Sequence, residues 1–101
     1  MVGMTEDECS KREIPTIVKK SFFRANGKAV AMGEVEGLLK IIVREDTREI
    51  VGCHIMGAHA SDLIQEVTAL MNERATIDDY KSIIHSHPTL SETLQTAVMQ
   101  F

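Results

Sequence analysis

Apolar positions change period along the chain. Up to Met56 they fall in short alternating runs, and from Leu63 onward they recur every three or four residues. Ile14 to Phe23 alternates Thr16, Val18, Lys20 and Phe22 with Ile17, Lys19, Ser21 and Phe23, which predicts a strand with Pro15 at its start or on an edge. Asn26-Gly27 signals a turn. The apolar stretch Lys28 to Met32 fits a strand and a helical turn equally, and Gly33 and Gly37 punctuate the residues after it. Leu38 to Arg44 predicts a second strand, with Leu39, Ile41 and Val43 on one face and Leu38, Lys40 and Ile42 on the other. The polar turn Glu45-Asp46-Thr47-Arg48 leads back into a strand over Glu49 to Met56, giving an antiparallel hairpin. Strict alternation puts His54 on one face with Ile50 and Met56, where a sheet histidine is the commoner reading than a ligand.

Helical spacing then takes over. Ser61 or Asp62 is expected to cap a helix running to about Arg74, with the stripe Leu63, Ile64, Val67, Leu70 and Met71. Thr76-Ile77-Asp78-Asp79 opens a shorter helix ending near Ser82 or Ile83. The last helix begins about Thr89 and buries Leu90, Leu94, Ala97, Val98 and Phe101. At the other end of the chain, Thr5-Glu6-Asp7-Glu8 has the capping-box pattern of a short helix reaching about Arg12. Strands thus dominate the first half and helices the second. That segregation predicts an α+β fold: an antiparallel sheet with helices packed on one face, as a single small domain over residues 1–101. The other sheet face also carries Leu, Ile and Val, so a partner subunit or another domain is expected to cover it.

Composition narrows the function classes. A chain of 101 residues buries a modest core. Its formal charge of −4 is spread without a basic stripe, which argues against nucleic acid. No apolar run approaches the roughly 20 residues of a membrane-spanning helix, so no membrane partner is expected. The polar, acidic N-terminus is unlike a signal or transit peptide. Cys9 and Cys53 make neither a disulfide framework nor a close redox pair, which suits a reducing compartment: the cytoplasm, or the mitochondrial matrix in a eukaryote. No Gly-x-Gly-x-x-Gly occurs, so no cofactor-binding residue is assigned.

Candidate chemistry gathers in His85-Ser86-His87-Pro88-Thr89-Leu90-Ser91-Glu92. Proline pushes His87 toward extended dihedrals, Thr89 can cap the last helix, and Glu92 is then its capping-box partner in the first turn. From there Glu92 can fold back toward the imidazole, fixing its tautomer and leaving the second nitrogen free for a proton. The plainer alternative is that Thr89 and Glu92 only cap a helix and His87 is a polar loop residue. A zinc site at His85 and His87 lacks further ligands, and no metal is expected.

These eight residues resemble the C-terminal signature of dihydrolipoamide dehydrogenase, a family of flavoprotein disulfide reductases. The resemblance continues in Val2-Gly3-Met4-Thr5-Glu6, in Phe22-Phe23-Arg24-Ala25-Asn26-Gly27-Lys28-Ala29, in Gly33-Glu34-Val35-Glu36-Gly37 and in Val51 to Ser61, covering nearly the whole chain in order. It covers only that enzyme's interface, or dimerisation, domain. The resemblance implies a homodimer in which this domain supplies an acid–base histidine to the other subunit's dithiol–disulfide site. His87 is that histidine, Glu92 orients it, and His85 has a supporting role at most. It also implies FAD- and NAD-binding domains elsewhere in the full enzyme, dihydrolipoamide as substrate, and a cis bond between His87 and Pro88. On this reading the chain is an excised or natural fragment and inactive by itself. A stand-alone dimerisation or scaffold module, or the same domain of a glutathione- or mercury-type reductase, are the alternatives.

Overall fold

The computed structural model describes residues 1–101. Four antiparallel strands, β1 (Val2–Gly3), β2 (Thr16–Phe22), β3 (Gly37–Arg44) and β4 (Ile50–Gly57), form one sheet in the order β1-β4-β3-β2. Six-residue helices α1 (Glu6–Lys11) and α2 (Gly27–Met32) precede β2 and β3. The helices α3 (Ala60–Asn72), α4 (Ile77–Lys81) and α5 (Glu92–Val98) follow the sheet. This is the expected α+β architecture, with a β3–β4 hairpin at its centre.

Burial of alternate strand positions builds the core. Leu39, Ile41 and Val43 of β3 are fully buried, together with Val67 of α3, Tyr80 of α4 and Leu94, Ala97 and Val98 of α5. Each such aliphatic side chain contributes about 1.5–3 kcal/mol on leaving water, so this face of the sheet determines where α3, α4 and α5 sit. Ser21 of β2, also buried, donates from its hydroxyl to the Thr93 carbonyl at 2.6 Å, tying the edge strand to α5.

A β-bulge changes the reading of β4. Ile42 pairs with Gly52 but Val43 pairs with Ile50, so Val51 is an extra residue and the alternation inverts across it. Ile50 therefore joins the buried face, while His54 lies opposite Lys40 on the other one. The expected common face of His54 and Ile50 is thus corrected. Gly52 is required here: a Cβ would stand 2.2 Å from the Met4 carbonyl oxygen, because the N-terminal segment crosses directly over it.

That segment carries α1 over the outer sheet face. Glu6 pairs with Lys40 at 2.5 Å, and the Met4 carbonyl lies 3.3 Å from His54 Nε2. Ile42 and Cys9 are both buried, yet neither belongs to the main core cluster. Beyond α1 the outer face stays open, and Phe22, Leu38 and Met56 form one cross-strand row there, with Phe22 and Met56 exposed. The largest cleft, about 450 Å³, lies on this face beside Met1, Lys20, Leu38 and Met56, away from the histidine motif.

Several element boundaries differ from those expected. Strand β2 stops at Phe22, because Phe23 turns into a short 3-10 segment and buries its ring. Lys28 to Met32 is helical, since Asn26 acts as an N-cap for the Ala29 N–H at 2.8 Å. Gly33, at φ 75°, ends that helix in the left-handed conformation that glycine adopts without cost. Neither Ser61 nor Asp62 caps α3: His59 occupies that position with φ 61° and without a side-chain cap bond, and the helix stops at Asn72.

Candidate functional site

The motif occupies the connection between α4 and α5. Helix α4 starts with a closed capping box: Thr76 Oγ1 accepts from the Asp79 N–H at 3.2 Å, and Asp79 Oδ2 accepts from the Thr76 N–H at 2.9 Å. Helix α5 starts differently from the expected Thr89 cap. Its first helical residue is Glu92, after Ser91. The Glu92 carboxylate accepts from the Thr89 N–H at 2.9 Å, but the Thr89 hydroxyl donates backward to the Ser86 carbonyl at 2.7 Å. Half a capping box forms, and the carboxylate is left to serve a second partner.

That partner is His87. Its Nδ1 lies 3.0 Å from both oxygens of Glu92. The His87 side chain is 79% exposed, and its Nε2 makes no hydrogen bond within the chain. The His87–Pro88 peptide bond is cis. Glu92's carboxyl is held below the ordinary carboxylate value, chiefly by the bond from His87 and then by the Thr89 N–H. Bonding to the ionised carboxylate fixes the proton on Nδ1 of a neutral His87 and leaves Nε2 as an outward-facing base. A cleft of about 130 Å³ lies beside it, lined by Asn26, Gly27, Lys28, Pro88 and Thr96 among others. The Asn26 amide donates to the Thr89 carbonyl at 2.9 Å, fastening the motif to the start of α2.

His85 behaves oppositely. Its side chain is only 3% exposed, and its Nε2 lies 2.9 Å from Glu66 Oε2 of α3. The Tyr80 hydroxyl donates to the same oxygen, and the Tyr80 and His85 rings stack with centroids 6.0 Å apart. Burial, reinforced by Glu66, pushes the Tyr80 phenol above its ordinary value, so it remains a donor. Glu66 and Tyr80 were not singled out from sequence. An acid bordering the Leu63–Val67 stripe was the available signal, and nothing in spacing connects it to a histidine nineteen positions later.

The histidines do not share a metal site, and no group of three His, Cys, Asp or Glu side chains is placed to hold an ion. Both cysteines are free and buried; burial raises the Cys9 thiol and pushes Cys53 up to about 12, so neither is a ready thiolate. The β4–α3 passage carries a single glycine, Gly57, where a Cβ would lie 2.8 Å from the Phe23 ring, and the sequence has no Gly-x-Gly-x-x-Gly fingerprint of a dinucleotide site.

Comparison with known proteins identifies the domain. The family described as "Pyridine nucleotide-disulphide oxidoreductase, dimerisation domain" matches residues 1–98. A dihydrolipoyl dehydrogenase of Synechocystis is 40% identical over 100 residues, covering 95% of this chain and 21% of that protein. One from Chlamydia trachomatis is 44% identical over 91 residues, covering 90% of this chain and 20% of that protein. The HOCl-induced flavoprotein disulfide reductase RclA from Escherichia coli superposes with a TM-score of 0.91 at 26% identity, over 97% of this chain and 22% of that one. The chain thus spans about a fifth of the length of the curated relatives it matches.

Proposed function

The chain belongs to the dimerisation-domain family of the pyridine nucleotide-disulphide oxidoreductases, and on that premise we propose that it supplies an acid–base histidine to a dithiol–disulfide site lying outside this chain. The observation that carries the reading is the pairing of an exposed His87 with a Glu92 that grips only its Nδ1.

The chemistry needs such a group. A thiolate, not a thiol, attacks a disulfide. His87 Nε2 takes the proton from one thiol of dihydrolipoamide as its sulfur attacks the protein disulfide. One sulfur–sulfur bond forms, the protein's own breaks, and its electron pair leaves on the departing sulfur. Nε2 gives that proton to the departing sulfur and then takes the proton of the second substrate thiol, whose sulfur attacks the first substrate sulfur and expels the protein sulfur, closing lipoamide and leaving the protein dithiol reduced. Glu92 holds the ring in one orientation and stabilises the imidazolium while the proton is held. The positive end of α5 acts against the imidazolium, but its first-turn acid, Glu92, offsets that.

FAD and NAD belong, on this reading, to other domains of a full-length dihydrolipoamide dehydrogenase, at the C-terminal end of which this domain lies. The other half of the site belongs to the second subunit of a homodimer, and the isolated chain is inactive. The exposed Phe22 and Met56 flanking half-buried Leu38, and the exposed Ile84 and Met99, supply apolar surface for self-association or for docking on those domains.

The test is steady-state dihydrolipoamide oxidation across pH by the flavoenzyme carrying this domain. His87→Gln should lower turnover by about 10²–10⁴-fold, with flavin content unchanged. Undiminished turnover would leave Glu92 as a helix cap and the chain as a binding module.

A further inference from the structure

We propose that Glu66 is a positioning residue for His87, acting through His85; the inference rests on His87 being the proton-transfer group. No backbone N–H from Ile84 to His87 bonds to another backbone carbonyl, so this stretch is held by side chains. On its far side the anchors are Thr89 to Ser86, Asn26 to Thr89, and Glu92 to His87. On its near side the anchor is His85 on Glu66.

Glu66 is suited to that task. It projects from the 13-residue α3, whose Leu63 and Val67 are buried against the sheet, so its backbone is fixed by the core. One of its oxygens, Oε2, accepts from both the Tyr80 hydroxyl of α4 and the His85 ring. Tyr80 is itself fully buried, so the carboxylate joins α3, α4 and the motif at a single atom. Bonding at Nε2 puts the proton of a neutral His85 on that nitrogen, opposite to the tautomer Glu92 selects at His87. His85 Nδ1 is buried with no partner in the chain. Glu66 is therefore the polar contact that keeps the His85 ring seated against Tyr80, two residues before the histidine whose aim matters. If the ring is released, the loop loses its near-side anchor and Glu92 no longer meets His87 in one geometry.

Long-range proton–nitrogen spectra of the full chain report which nitrogen of His87 is protonated. The unsubstituted chain should show the Nδ1-protonated pattern. Glu66→Leu, which fills similar space, should lose that single pattern to a mixture of tautomers. Glu66→Gln should restore it, because an amide oxygen accepts from Tyr80 and from His85 alike. His85→Phe removes the bond from the loop side without opening a cavity, and it should produce the same loss even if Glu66→Leu fails to fold. An unchanged His87 pattern in folded Glu66→Leu or in His85→Phe overturns the inference. These signals do not depend on turnover. A fully active His87→Gln enzyme would remove the proton-transfer reading and with it the catalytic meaning of Glu66, whereas an unmoved His87 pattern would remove the Glu66 inference alone.

Discussion

Besides Thr5 with Glu8, two helix starts in this chain share one pattern, a threonine followed three positions later by an acid: Thr76 with Asp79, and Thr89 with Glu92. At Thr76, both reciprocal bonds form and the two side chains make no other hydrogen bond. At the second, the acid still accepts the threonine N–H, but the threonine hydroxyl turns away and the carboxylate reaches on to His87. Glutamate is one methylene longer than aspartate, so a carboxylate in the first turn reaches past its own cap to a residue five positions back. The same local grammar therefore starts a helix in one place and, on the proposed reading, serves chemistry in the other. The difference lies in a histidine within reach and the side-chain bonds that keep it there.

Removing each acid in turn separates the two helix starts. Glu92→Gln should lower turnover in the flavoenzyme, though by less than the about 10²–10⁴-fold that loss of the acid–base group itself costs. Asp79→Asn should leave turnover untouched. Equal losses from both would mean that the second turn is only another cap.

Stability should show the reverse order. Thr76→Ala removes a working N-cap and should cost about 1 kcal/mol in urea unfolding of the chain. Thr89→Ala should cost α5 less, because its hydroxyl serves the Ser86 carbonyl and no helix N–H. A larger penalty at Thr89 would show that the half-box carries α5 after all.

The smallest effect is one of pH. Glu92's folded-state value is depressed, so its stabilisation is complete above the ordinary carboxylate value and is lost as pH falls through the depressed one. Acid should thus release His87 from Glu92 while the bond from the Asp79 N–H to the Thr76 hydroxyl, which needs no charge, persists. Carboxyl-carbon titration of Glu92 should give a midpoint that rises in His87→Gln, since His87 is the largest cause of the depression. An unmoved midpoint would show that the ring contributes nothing to holding the charge.

The central hairpin was legible because its residues repeat at the spacing of their own geometry. Leu39, Ile41 and Val43 alternate in sequence and are buried together, and the α3 stripe from Leu63 to Met71 packs as its spacing implied. The pairing of His87 with Glu92 was legible too, being contained within a five-residue reach, although it required the resemblance to a family to outrank plain capping. His54 was misplaced because a bulge at Val51 inverts the alternation without any sign in composition.

The chain alone determined everything that local sterics and periodic burial dictate: an α+β order of elements, the strand faces on either side of the bulge, the helix starts at Thr5 and Thr76, and a histidine followed by a glutamate that can reach it. Tertiary structure decided the rest. It set which imidazole is buried and which is exposed, since His85 and His87 are chemically the same residue and differ only in what α3 and α4 bring beside them. It also decided that Glu66 and Tyr80 meet His85, because contacts between residues distant in sequence form only when the core has folded α3 and α4 against the same sheet.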